Sequence, residues 1–390
     1  MLTFNDTKIA FSDKTDHELK KAYWLFKTIE SPKIVSLGSK LLNLALAIHF
    51  PVKWIIKPTV FQHFCGGETI AECDAMITKL GKSGIGTILD YSAEGIENEE
   101  DFDKVTEELL SVIKESINNK HIPFAVFKVT GIARFGILEK INSGEKLSTA
   151  ELEEYERILN RIDRICNAAY LYEIPVFIDA EETWIQNAID AIAENMMKKY
   201  NCGKAIVYNT LQMYRHDRIA YFGNLINDAE QQKYYIGVKI VRGAYMEKER
   251  ERAEKMTYPS PIQKDKEATD KDYDKALKLS FENRHIVSVC AGSHNEKSNM
   301  FLAELIKNNK LDINDKRFYF AQLLGMSDHI SYNLAYEGFN VAKYVPYGPV
   351  NSVMPYLLRR AQENTSVAGQ TGRELLLIQN ELKRRKQSLI

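Results

Sequence analysis

Tyr356, Arg359, Arg360 and Glu363, in the stretch YLLRRAQEN, stand at i, i+3, i+4 and i+7, so on a helix they share one face. Two adjacent guanidinium groups between a phenol and a carboxylate make either a solvated salt-bridge stripe or a grip for an anion. Further cations in unusual places bear on that choice. Lys128 and Lys239 lie in apolar, β-branched runs, and Arg242 follows the second of them. A buried Lys128 or Asp179 must be paired or bound to a ligand, because an isolated buried charge is costly. Singly, such residues have plainer roles. A strand-end aspartate often caps a helix, a lone histidine such as His294 is usually structural, and Tyr344 alone reads as rim packing. The EKERERAEK run after Tyr245 reads as a solvated helical face. Jointly, Lys128, Lys239, Arg242, Arg359 and Arg360 call for anionic ligands.

These groups need a frame that collects them. After an N-terminal, mostly helical arm, a short apolar run followed by an amphipathic stretch recurs eight times: GIGTILDYS, PFAVFKVTGI, IPVFIDAE, KAIVYNTLQ, YYIGVKIVRGAY, HIVSVCAGSH, RFYFAQLLGM and NVAKYVPYG. The runs are almost continuously hydrophobic, as expected of parallel strands buried on both faces. Between them, STAELEEYERILNRIDRIC opens on Ser148 with Glu151 as capping-box partner, and TDKDYDKALKLSFEN is read as opening at Thr269 with Asp272. The expected fold is α/β, a (β/α)8 TIM-type barrel, with a helical arm over residues 1–80, the barrel over 81–375 and a helical tail over 376–390. The runner-up is a doubly wound open sheet. Its dinucleotide fingerprint is missing: Gly81, Gly84 and Gly86 precede their strand, and such a loop must follow one.

In a barrel of this kind the chemistry sits at the C-terminal strand ends. Those ends carry, in order, Asp90, Tyr91 and Glu94; Lys128 and Thr130; Asp179 and Glu181; Asn209 and Gln212; Lys239, Arg242 and Tyr245; Ser293 and His294; Gln322; and Tyr344 and Tyr347. No HExxH and no clustered His, Asp or Glu suggests a metal, and no GxSxG elbow suggests a serine nucleophile. Two chemistries stay open. One is a Schiff-base lysine, Lys128 or Lys239; the other is a large phosphate-bearing cofactor with a small carboxylate substrate.

Composition narrows the partners. The 390 residues carry a formal net charge of -1 and no basic tail, which argues against nucleic acid. The five cysteines are scattered without CxxC spacing and fit a reducing compartment. The N-terminus lacks the pattern of a signal or transit peptide, so a cytoplasmic location is expected. The window LLNLALAIHFPVKWII is too short and interrupted to span a bilayer. It is either a buried helix or a surface touching a membrane peripherally.

KIVRGAYMEKER (Lys239–Arg250) together with YLLRRAQEN resembles the proline dehydrogenase family. FKVTGIARFG, FIDAEETW, YNTLQMY, CAGSHN and QLLGM fall in the family's order, HFCGGET looks like its entry segment, and the likeness spans Phe64 to Thr365. The resemblance implies a distorted (β/α)8 barrel binding FAD. It implies oxidation of L-proline to Δ1-pyrroline-5-carboxylate, with hydride passing from the ring carbon beside nitrogen to flavin N5. Electrons then go on to a quinone or other acceptor, and a separate pyrroline-5-carboxylate dehydrogenase takes the product.

By matching positions, the resemblance assigns Asp179, Lys239 and Arg242 to the active centre, Arg359, Arg360 and Lys128 to the substrate carboxylate, and Tyr344 and Tyr356 to the walls of the proline ring. Ala180, Gln212, Arg242, Gly243, Ala244, Ser293, His294 and Glu363 would contact FAD, and Glu94 would pair with Arg359 as a gate. Lys239 stands where many relatives carry arginine, Ser293 where threonine is common, and Arg242 where some carry lysine, as in the mitochondrial-type branch. Three rivals remain: hydroxyproline dehydrogenase chemistry, which a bulky Tyr344 disfavours; a Schiff-base aldolase or lyase using Lys128; and a non-catalytic barrel that only binds.

Overall fold

A computed structural model describes residues 2–31, 56–92, 96–366 and 370–388, with 361–366 and 370–371 described by their backbone alone. Its eight strands are β1 (Ile85–Tyr91), β2 (Phe124–Lys128), β3 (Val176–Asp179), β4 (Val207–Gln212), β5 (Ile236–Val241), β6 (Val287–Gly292), β7 (Phe318–Leu323) and β8 (Val341–Tyr347). They form a closed barrel in sequence order, with parallel pairing along β2 to β7 and between β1 and β8. Each strand lies inside one of the eight apolar runs, since only residues able to bury both faces can occupy such a sheet. By contacts the chain divides into two compact units, Glu94–Ala321 and Met1–Ala93 with Gln322–Ile390.

The first unit alternates strand and amphipathic helix. The helix Thr149–Leu171 opens on the expected capping box, in which Glu151 N donates to Ser148 Oγ at 3.3 Å and Ser148 N to Glu151 Oε2 at 2.9 Å. The helix expected to open at Thr269 begins a turn earlier, at Lys266. Asp265, in extended backbone, accepts from Ala268 N at 2.8 Å and is the true cap. Lys266, Glu267 and Ala268 are good helix formers and add that turn, while Thr269 is buried within the helix. The interior is filled by rings. Phe124 stacks on Phe177 at 4.4 Å, and Tyr208 and Tyr319 meet Phe124 edge-on at 5.6 and 4.7 Å. Gly237 makes room for this layer, since a Cβ there would come within 2.4 Å of the Tyr208 ring.

The second unit joins β1 and β8 in register, Ile88 opposite Tyr344 and Tyr91 opposite Tyr347. Gly84, at φ +72, turns the chain from the helix Ile70–Lys82 into β1. The helices Asp16–Ile29 and Gln370–Gln387 share an apolar cluster of Ala10, Phe11, Leu19, Ala22, Phe26, Leu375, Leu377 and Ile378. The latter helix runs unbroken through residue 376. Lys343 on β8 is fully buried, donating to Met326 O at 2.5 Å and pairing with Asp328 at 2.9 Å, which also pairs with Lys14 at 3.0 Å. Apart from Ile56, the LLNLALAIHFPVKWII window falls outside the described residues. Among the described residues, no helix is long and apolar enough to cross a membrane.

Candidate active site

In the Glu94–Ala321 unit the strand ends of β2 to β6 hold a connected polar centre. Lys239 Nζ, from β5, reaches across β4 to form an ion pair with Asp179 at the end of β3. The ammonium also lies 5.5 Å from the centre of the Phe177 ring, so the aromatic layer floors the pair. Burying two charges this deeply is tolerable because each neutralises the other. Beside it, Glu181 is buried and accepts from Thr130 N at 3.1 Å and Thr130 Oγ1 at 2.5 Å. Burial is the main influence on its carboxyl, which is pushed up to about 7. Gln212, also buried, donates Nε2–H to the Glu181 carbonyl at 2.7 Å, and Ala180 is half-buried between these groups.

Arg242 is built in from four directions. Nε donates to Asp270 at 2.6 Å, the two terminal nitrogens to Ser293 Oγ at 2.7 Å and Ser298 Oγ at 2.9 Å, and the guanidinium lies 4.2 Å from the Tyr273 ring centre. Gly243 follows at φ +131, where a Cβ would strike the Tyr214 ring at 2.5 Å, so glycine is required at this turn. Gly243 and Ala244 are exposed. Ser293 and half-buried His294 lead into the helix Glu296–Asn308, whose cap Asn295 accepts from Lys297 N and Ser298 N. A fixed cation, a hydroxyl, an open glycine backbone and a helix start make a cradle for a phosphate-bearing ligand.

In the other unit, Tyr344 on β8 is buried, and its carbonyl accepts from Leu324 N at 2.8 Å. Tyr356, Arg359 and Arg360 lie on the helix Val350–Ser366. Tyr356 is buried, with the Arg360 guanidinium 5.3 Å from its ring centre, and Arg359 is half-buried. The stripe is therefore no solvated face over these three positions. Tyr356 packs in a cluster with Phe61, Phe64, Met326, Val353 and Leu357, which fixes the rotation of the helix. The side chain of Glu363 and the whole of Glu94 lie outside the described residues.

A family model described as Proline dehydrogenase matches residues 73–373, which includes all eight strands. The chain belongs to the proline dehydrogenase family. A proline dehydrogenase 1 of Dictyostelium discoideum is 32% identical, over 97% of this chain and 74% of the relative. A carbapenem antibiotics biosynthesis protein of Pectobacterium carotovorum subsp. carotovorum is 34% identical over 83% of each. A hydroxyproline dehydrogenase of Xenopus laevis is 29% identical over 98% of this chain and 90% of the relative. Among solved structures, proline utilization A from Bdellovibrio bacteriovorus superposes with a TM-score of 0.72 at 18% identity, which shows the shared fold. The match covers 92% of this chain and 38% of that one.

Within this proline dehydrogenase family fold, some strand-end residues serve the scaffold. Asn209 turns to the helix layer and donates to Asp190 Oδ1 at 2.9 Å, where Gln186 and Arg218 also bond. Glu249 departs from the solvated face expected of EKERERAEK: it is fully buried, accepting from Thr183 N at 2.7 Å and Thr183 Oγ1 at 2.6 Å. Asp270 and Ser298 were missed as Arg242 partners. Neither lies in a strand run, so strand-end reading had no way to find them.

Proposed function

We propose that this chain oxidises L-proline to Δ1-pyrroline-5-carboxylate with bound FAD and passes the electrons to a quinone or another acceptor. The family match over residues 73–373 carries the reading. The residues present fit the cofactor: Arg242, anchored by Asp270, Ser293 and Ser298 beside the helix start at Glu296, suits an anionic ligand. Gln212, Ala180, Gly243, Ala244, Ser293, His294 and Glu363 are the other proposed contacts. When bound, the flavin supplies a hydride acceptor for the ring carbon beside nitrogen.

The chain's own residues then have mainly to bind and orient. Proline is small, and most of its directional binding comes through its carboxylate, for which planar guanidinium forks are well suited. Arg359 and Arg360 take this role, with Lys128 as a further cation. Tyr344 and Tyr356 hold the ring, so that one carbon is presented in one orientation. The Asp179–Lys239 pair keeps a fixed, internally neutralised polar centre over the aromatic floor, which excludes water and supplies a cation at a set position. Glu94 is proposed to gate the site through Arg359. The reading places the chain in the cytoplasm with peripheral contact to a quinone-bearing membrane.

The test is a visible spectrum of the purified protein before and after anaerobic L-proline. A yellow protein bleached by proline is expected. A colourless protein trapped by borohydride with a carbonyl substrate would instead support the Lys128 lyase. The Xenopus relative favours one second reading, the same chemistry on hydroxyproline, which the ratio of kcat/KM for the two substrates decides.

A further inference from the structure

One turn bonds to one of the tyrosines assigned above to the substrate ring and shares a packed cluster with the other. Residues 323–326 close on a Met326 N–H to Leu323 carbonyl bond of 3.2 Å, with Gly325 at φ +75. The Leu324 N–H of this turn holds the Tyr344 carbonyl at 2.8 Å, and Met326 is buried in the same packed cluster as Tyr356. The turn is clamped from outside the strand ladder. His63, on the short helix Gln62–Phe64, donates Nε2–H to the Gly325 carbonyl at 3.0 Å. A Cβ on Gly325 would come within 2.5 Å of the His63 carbonyl and 2.8 Å of its ring, so ring and glycine lie in direct contact. Phe26 and Phe64 brace the imidazole edge-on at 5.5 and 4.6 Å. Burial lowers His63 to about 4, so across neutral pH it is an uncharged imidazole. Lys343 and Glu374 also hold this turn, through Met326 O and Ser327 N. Removing either would strand buried charge, whereas His63 acts by one neutral bond.

We propose that His63 is a positioning residue for substrate specificity: through the Gly325 carbonyl it fixes the turn that sets Tyr344 and Tyr356, and so the fit of the ring pocket. This rests on the assignment of those tyrosines to the ring wall. The experiment uses the full flavin-loaded chain with His63→Phe, which keeps the ring contacts and removes the donor, and His63→Gln, which restores an N–H. His63→Phe is expected to raise KM for proline about three- to ten-fold, the usual size of one lost neutral hydrogen bond, with kcat within about two-fold. The kcat/KM ratio of hydroxyproline to proline should rise, and His63→Gln should recover most of both changes. Unchanged KM and ratio, or a fall in kcat alone at constant ratio, would overturn the proposal. Tyr344→Ser and Tyr356→Ala are measured alongside. If neither tyrosine variant moves KM or the ratio, the ring-wall assignment itself fails; if they do and His63→Phe does not, only the clamp fails. Should His63→Phe not fold, His63→Leu, which also lacks the donor, is read by the same criteria.

Discussion

Among the described residues two strand lysines are buried, Lys239 and Lys343, and they do different things. Lys343 on β8 turns to the helix layer, where the carbonyls of Leu323 and Met326 and the carboxylate of Asp328 receive it, and Lys14 pairs with the same carboxylate. Lys239 on β5 reaches across β4 to the carboxylate of Asp179, above an aromatic floor. Lys343 is closed in by saturated scaffold partners; Lys239 belongs to a polar centre at the strand ends. A buried lysine in an apolar run therefore says that charge has been compensated. The face it points to says whether its partners belong to the helix layer or to the strand ends.

The sharpest way to break this comparison is Lys343→Met. It strands part of the Asp328 charge and should cost about 3–5 kcal/mol of unfolding free energy, read by urea denaturation. A loss no larger than that of a surface substitution, about 0.5 kcal/mol, would erase the distinction. Next, Arg359→Met removes a charge-assisted fork and should cost about 1.5–3 kcal/mol of proline binding, seen as a rise in KM with flavin retained.

A third test concerns Glu181. Its folded carboxyl lies near 7, above the ordinary value of 4.5, so the folded state holds the proton more tightly than the unfolded chain does. Its contribution to stability is full below about 4.5 and is lost as pH rises through about 7. Glu181→Gln should flatten that slope in melting temperature against pH, and an identical slope would show that another group titrates. The smallest effect is expected for Tyr344→Ser, which should relax discrimination against hydroxyproline by about 1 kcal/mol, or roughly five-fold in the ratio of kcat/KM.

How much of this is legible in the sequence follows from what each signal measures. The eight strands are legible because burial on both faces imposes unbroken apolar runs, and Ser148 because its capping partner is three residues away. Thr269 misled because the competing cap, Asp265, sits one turn upstream, and local pattern does not rank two adequate caps. Asn209 looks like a site residue for a different reason. Side chains alternate between faces along a strand, and a continuous apolar run hides which residue faces inward. Lys239 and Asp179 could be suspected singly, but their pairing across an intervening strand depends on barrel closure. The partners of Arg242 lie on helices, whose rotation is set by packing.

The aromatic layer has a kinetic consequence. Phe124, Phe177, Tyr208 and Tyr319 come from β2, β3, β4 and β7, so its contacts join residues far apart along the chain. Each βα unit can form its helix and strand locally, but the rings cannot interlock until distant strands have met, and the entropy of closing those loops is spent first. The floor beneath the Asp179–Lys239 pair is therefore expected to set late in folding. Gly237→Ala, by obstructing Tyr208, should speed unfolding far more than it slows refolding.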